Sequence, residues 1–183
     1  MTWHARLFGA VVLIAAAAVL AAPAIAASGD SLDQDVRDAL SALYKKTPAA
    51  KSLGAKARAI LVFPRIIKAG LVVGAQTGDG ALLKGGRSVG YYNTSSLSVG
   101  LQAGAQAFGY ALFLMSDAAV KHLESTDGWE LGVGPSIVVM DQGTAKALTT
   151  TTAQPDIYAF FFNQEGVMAG MGVQGSKVTR IKR

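Results

Sequence analysis

The chain contains no cysteine, and its other reactive side chains are few. After the first 26 residues it has one histidine, His122, and only three glutamates. Without cysteine there is no disulfide framework, thiolate metal site or cysteine nucleophile, and a lone histidine does not make a zinc site. The sequence also lacks a G-x-S-x-G elbow, a phosphate loop and a dinucleotide fingerprint. We therefore expect a protein that is not an enzyme and needs no cofactor or metal.

The N-terminus carries a short positive leader and then a long stretch without charge. Arg6 precedes an apolar run over residues 7–22, and an Ala-x-Ala cleavage site follows at residues 24–26. This is the layout of a secretory signal peptide, and the run is short for a membrane-spanning helix. The sequence predicts a signal peptide over residues 1–26, a single domain over 27–183 and a periplasmic or secreted protein. A retained membrane anchor is the alternative.

Glycine is abundant, with 20 of the 21 glycines lying after the signal peptide, about twice the usual share of about 7%. Residues 97–107 alternate apolar residues with serine, glycine and glutamine, which is the period of a β-strand. From Phe108 both faces become apolar, so residues 97–115 are the candidate for a central, partly buried strand. The glycines are spread among such runs rather than gathered in linkers, which favours a twisted or curved sheet.

Other segments complete an α+β chain. Ser31 and Gln34 form a capping box before an apolar stripe that predicts a helix to Lys46. Thr47 and Pro48 begin a second helix, and Ser116 or Asp117 caps a third. Further strands are expected at residues 59–63, 70–75, 81–83, 129–140, 157–162 and 167–173, with turns at 77–80, 85–86 and 163–166. The sequence predicts a strongly curved or barrel-like, mostly antiparallel sheet of about 6–8 strands with 2–4 helices.

Positive charge is concentrated just after the first helix. Seven cations fall within 24 residues, and no acidic residue interrupts them before Asp79. Such a run can make a surface that attracts anionic lipid or polyanions, and the alternative is an ordinary solvated face. The candidate lipid-binding residues are Lys45, Lys46, Lys51, Lys56, Arg58, Arg65 and Lys68.

Three blocks of the sequence resemble the SYLF domain family. They lie in order at the start, middle and end of the predicted domain: residues 56–64 (KARAILVFP) with 68–74 (KAGLVVG), 100–106 (GLQAGAQ) with 113–115 (FLM), and 166–176 (GVMAGMGVQGS). The resemblance implies a domain that binds membrane lipids, with phosphoinositides preferred by eukaryotic members and actin bound by yeast-type members. It also implies that basic residues near the start of the domain contact the lipid.

We therefore expect a non-enzymatic domain that docks on anionic phospholipid membranes through the seven cations. An exported protein would not meet cytosolic actin or phosphoinositides, so actin is a partner by family label alone, and no nucleic-acid partner is expected. The alternative is a structural or interaction protein of the cell envelope without lipid specificity, in which the cations are dispersed on the folded surface.

Overall fold

A computed structural model describes residues 29–140, 155–166 and 175–183 of the chain. These residues form three helices and one strongly curved, mostly antiparallel sheet, which confirms the predicted α+β fold class. The predicted signal peptide and the strand expected at 167–173 lie outside the described residues. The helices are α1 (Gly29–Lys46), α2 (Pro48–Gly54) and α3 (Asp117–Ser125). The strands are β1 (Ala59–Lys84), β2 (Arg87–Leu114), β3 (Trp129–Glu130), β4 (Ile137–Met140), β5 (Ile157–Gly166) and β6 (Lys177–Ile181).

Strand β2 is the centre of the sheet, as the alternation around residues 97–115 predicted. It pairs with β1 along nearly its whole length. On its other side β6 pairs with residues 91–95 and β5 with residues 106–114. β3 extends the sheet beyond β6, and β4 extends it beyond β5 as the parallel neighbour. All described strands therefore connect through β2.

β1 and β2 form a long hairpin, the β1–β2 ribbon, whose turn is Gly85–Gly86. Both turn glycines have positive φ, 56° and 77°, as a two-residue hairpin turn of type I′ requires. This turn was predicted, but the turn expected at residues 77–80 is wrong, because those residues lie inside β1 and pair with β2. The strand expected to end at Pro64 also continues, with a register shift between Phe63 and Ile66 that accommodates the proline.

β1 is folded back on itself at Val72, a non-glycine residue with φ of 53°. A side chain on Gly70 would collide with the backbone of Val73 and Gly74, and one on Gly80 would collide with Val62 and Phe63. The two halves of β1 therefore come together on either side of residue 72. Glycine permits this approach because it places no Cβ between the two backbones.

The helices cover the sheet near the two ends of β1. One core cluster joins the α1 residues Leu32, Val36 and Leu43 to both halves of β1 and to β5. The apolar stripe predicted for α1 is thus confirmed, although the described helix already begins at Gly29. A second cluster joins α3, Trp129 and Val178 to the other side of the ribbon. Ser116 caps α3 by accepting a hydrogen bond from the Ala119 backbone N–H at 3.1 Å.

β5 is longer than predicted, because the turn expected at residues 163–166 is a bulge instead. The register of β5 on β2 shifts between Ala107 and Gly109, and Asn163 takes a positive φ of 51° at this point. The strand expected over residues 129–140 is divided into β3 and β4, since Gly132 and Gly134 between them also have positive φ. Segments rich in glycine or asparagine thus bend strands in this fold without always ending them.

Candidate functional site

A groove of about 420 Å³ lies between α1, α2 and the turn of the β1–β2 ribbon. Its floor is formed by apolar parts of Leu40, Tyr44 and Leu83. Three cations stand on its rim, Arg37 and Lys45 from α1 and Lys51 from α2. We call these three residues and the floor beneath them the basic groove.

The helical repeat brings the α1 residues of the basic groove to one side. Arg37, Ser41 and Lys45 are spaced by four residues, and Leu40 and Tyr44 are spaced likewise, so all lie along one face of the helix. Tyr44 is half-buried, and its ring lies 6.3 Å from that of Phe113. Burial raises the pKa of the Tyr44 phenol. The floor is therefore apolar and uncharged, whereas the rim is positive.

The cations on the rim are not neutralised by the protein surface around them. Within the described ranges no carboxylate lies within 4.0 Å of Arg37, Lys45 or Lys51. Arg37 donates a long hydrogen bond of 3.4 Å to the amide oxygen of Gln34, and all three cations are exposed. The groove therefore offers three solvated positive charges above an apolar surface, which is the chemistry that suits an anionic amphiphile.

A second basic groove lies on the other side of the ribbon turn. It has a volume of about 720 Å³ and is formed by residues 88–91 of β2 and by the C-terminal end of β6. Arg180 and Lys182 line it together with Arg183, which pairs with Asp79. Sequence reasoning did not select these residues, although four cations among the last seven residues gave a signal. They reach the turn because β6 pairs with the start of β2.

The structure separates the other five predicted cations from the basic groove. Arg58 forms an ion pair with Asp117 at 3.6 Å, and Arg65 forms one with Glu165 at 3.9 Å. Lys46 and Arg65 line a different groove that also contains Asp35, Asp38 and Glu165.

Lys56 lies beyond α2, and Lys68 lies on β1 opposite Gln106. Of the seven cations, Lys45 and Lys51 therefore share one site, and Arg37 joins them from a position that the sequence run did not include. The assignment of all seven to lipid binding stays a prediction.

The part of the chain that the structure describes offers no group of three or more metal-ligating side chains. His122 packs edge-on against Trp129, with ring centroids 5.6 Å apart. None of the described helices has the length and apolar character needed to cross a membrane.

Comparison with protein families identifies the C-terminal part of the chain. Residues 95–183 match the family model of Ysc84, described as a Las17-binding protein actin regulator. No curated protein matches the chain. The matched region contains two of the three blocks that resemble SYLF domains, and it covers most of β2 with all the elements that follow. This family is one of binding domains, linked to lipids and to actin regulation. Residues 95–183 thus match the Ysc84 (SYLF) family, which is the family that the sequence blocks resemble.

Proposed function

We propose that this domain docks on anionic phospholipid membranes through the basic groove and the cations beside it. The observation that carries the proposal is the set of three solvated cations on an apolar floor, with no carboxylate partner in the described residues. A phospholipid headgroup provides the complementary anion, and the glycerol and upper acyl carbons provide an apolar surface for Leu40 and Tyr44. The match to a lipid-linked binding family supports this proposal.

The proposed membrane-binding surface extends to both sides of the ribbon turn. Leu83 and Gly86 line the basic groove, and Ser88 and Val89 line the second basic groove. The two grooves thus flank one turn, so Arg180 and Lys182 add their charge to that of Arg37, Lys45 and Lys51. Each cation near an anionic lipid surface contributes about 1 kcal/mol, and salt screens this attraction over about 10 Å. We propose that export to the cell envelope brings this surface to the membrane.

Vesicle co-sedimentation with a charge-reversal variant tests the proposal. Lys45→Glu/Lys51→Glu should lower the affinity for phosphatidylglycerol vesicles at least tenfold, because two attractive charges of about 1 kcal/mol each become repulsive. The matched control is Lys121→Glu/Lys177→Glu, which changes the net charge equally at exposed positions outside both grooves. The control should lose much less affinity. Binding of the wild type should also fall as salt is added and should be weak on neutral phosphatidylcholine.

Equal loss in the two double variants would contradict a specific basic surface, and equal wild-type binding to anionic and neutral vesicles would contradict the electrostatic proposal. A second candidate function, a structural or interaction module of the envelope, is favoured by the carboxylate partners of Arg58 and Arg65. It predicts that neither double variant changes vesicle binding.

A further inference from the structure

The bend of the β1–β2 ribbon carries a group of exposed aliphatic side chains. Leu71, Val72 and Val73 are 73%, 62% and 60% exposed, and Leu97 on the neighbouring strand is 80% exposed. We call these four residues the ribbon tip. Three large aliphatic residues in succession are rarely left in water unless a site uses them.

The ribbon tip is a projection rather than a flat face. β1 reverses at Val72, and its two halves approach each other at Gly70 and Val73, then again at Gly80 and Val62. The residues that the helices cover lie near the two ends of β1, far along the strand from Val72. None of the four tip residues lines the basic groove, and Leu83, the β1 residue that does, follows Val72 by 11 residues. The tip and the basic groove are therefore separate surfaces.

The residues around the ribbon tip are uncharged. No Asp, Glu, Lys or Arg occurs over residues 69–78 of β1 or over residues 88–116, which include nearly all of β2. Ser96 and Ser98 on β2 flank the apolar residues with uncharged polar side chains. Lys68 lies on β1 four residues before Val72 and supplies one cation next to this uncharged region. An apolar end with uncharged polar side chains and a cation behind it suits the passage from the acyl region of a membrane to its headgroups.

The small area of the tip argues against a protein partner. A stable protein interface uses about 20–30 residues a side, whereas the tip offers four exposed aliphatic side chains on a convex bend. A bilayer makes no demand for shape complementarity and accepts a small apolar projection. We propose that the ribbon tip inserts into the acyl region of a phospholipid membrane. This inference rests on the proposed membrane-binding function and adds a second region of the protein that contacts the membrane.

A fluorescent label at the tip tests the insertion. Because the chain has no cysteine, Leu71→Cys in the full chain gives one attachment point for the environment-sensitive probe NBD. With vesicles of phosphatidylglycerol and phosphatidylcholine, the emission should shift to the blue and rise several-fold, and acyl-chain nitroxide lipids should quench it. Val133→Cys is the matched control, since Val133 is also 60% exposed but lies between β3 and β4. Its probe should not respond.

The outcomes separate this proposal from the proposed function. If the labelled Leu71→Cys chain co-sediments with vesicles while its probe neither shifts nor is quenched, the insertion is wrong and membrane binding stands. If no vesicle binds the chain, both are wrong. A probe response that grows with protein concentration and needs no lipid would assign the tip to a second copy of the chain and overturn insertion.

A binding measurement adds a second test that does not depend on the label. Leu71→Ser/Val73→Ser should weaken vesicle binding about tenfold, because two aliphatic side chains no longer leave water. Val133→Ser should leave binding unchanged. All these positions are exposed, so the melting temperatures should stay close to that of the wild type. Undiminished vesicle binding by the folded double variant would overturn the insertion.

Discussion

Two stretches of β1 are similar in composition but have opposite surroundings. Residues 59–63 (AILVF) are buried, with Leu61, Val62 and Phe63 fully inaccessible. Residues 69–75 (AGLVVGA) contain the exposed Leu71, Val72 and Val73. Both stretches pair with β2 in the same antiparallel ladder. Strand pairing alone therefore does not explain why one stretch is buried and the other exposed.

The two stretches differ in burial because other elements cover the first stretch and not the second. The first stretch lies between the cluster under α1 and the cluster that contains α3, while the second lies at the fold of the ribbon beyond both. An apolar run at strand spacing thus predicts the strand, whereas its burial depends on what the tertiary structure places above it. This explains why residues 70–75 form the strand expected from the sequence but do not belong to the core.

The largest effect is expected from truncating one leucine in each stretch. Leu61→Ala removes a fully buried side chain and should lower the free energy of unfolding by about 2–5 kcal/mol. Leu71→Ala removes an exposed side chain and should change it by less than about 0.5 kcal/mol. Urea denaturation of both variants measures the contrast. Similar losses would mean that the tip is packed in solution.

A smaller effect of opposite sign is expected at the bend itself. Val72 adopts φ of 53°, where a β-branched side chain is strained. Asparagine tolerates this conformation, and the chain already uses it at Asn163. Val72→Asn should therefore stabilise the fold by about 1 kcal/mol in thermal or urea unfolding. Val73→Asn, which gains nothing from the backbone, is the control, and equal effects of the two variants would exclude relief of strain.

The smallest effect is a pH dependence of stability that arises from Asp156, away from the ribbon tip. Asp156 accepts hydrogen bonds from the Ser116 hydroxyl at 3.0 Å, the Ser136 backbone N–H at 3.1 Å and the Ser136 hydroxyl at 2.9 Å. The Ser136 backbone N–H, followed by the two hydroxyls, holds the pKa of this carboxyl below its ordinary value. Its stabilising contribution is present above about pH 4 and is lost as pH falls through the lower folded-state pKa.

The variant Asp156→Asn should therefore lose slightly more stability at pH 7 than at pH 3, as thermal unfolding at the two pH values would measure. The ribbon tip contains no titratable side chain, so Leu71→Ala should show the same stability difference from wild type at both. A pH-independent difference for Asp156→Asn would contradict the assigned pKa shift.

Much of the fold could be predicted from local pattern, because alternation, caps and turn glycines act locally. β2, the Gly85–Gly86 turn, the apolar face of α1 and the Ser116 cap all follow from such signals. The continuity of β1 could not be predicted, since Pro64 and Gly78 resemble strand ends. Pro64 is accommodated at a register shift, and Gly78 lies where the two halves of β1 approach.

The candidate site was less accessible to sequence reasoning. The run of cations included Lys45 and Lys51, but it spread the site over five further residues that the structure places elsewhere. Arg37 enters the basic groove through the helical repeat, across a stretch of α1 that also carries aspartates. Arg180 and Lys182 reach the ribbon turn only because β6 returns to the start of β2. Such neighbours depend on strand order, which no local spacing encodes.

The interrupted course of β1 also bears on how the protein avoids aggregation. Among the described strands β1 pairs only with β2, so its other edge has backbone groups without a ladder partner. A long straight edge of this kind invites pairing with another molecule. Pro64 removes one donor, and the reversal at Val72 divides the edge into two runs that point in different directions. The bend that exposes the ribbon tip therefore also interrupts the edge on which a strand of another molecule could pair.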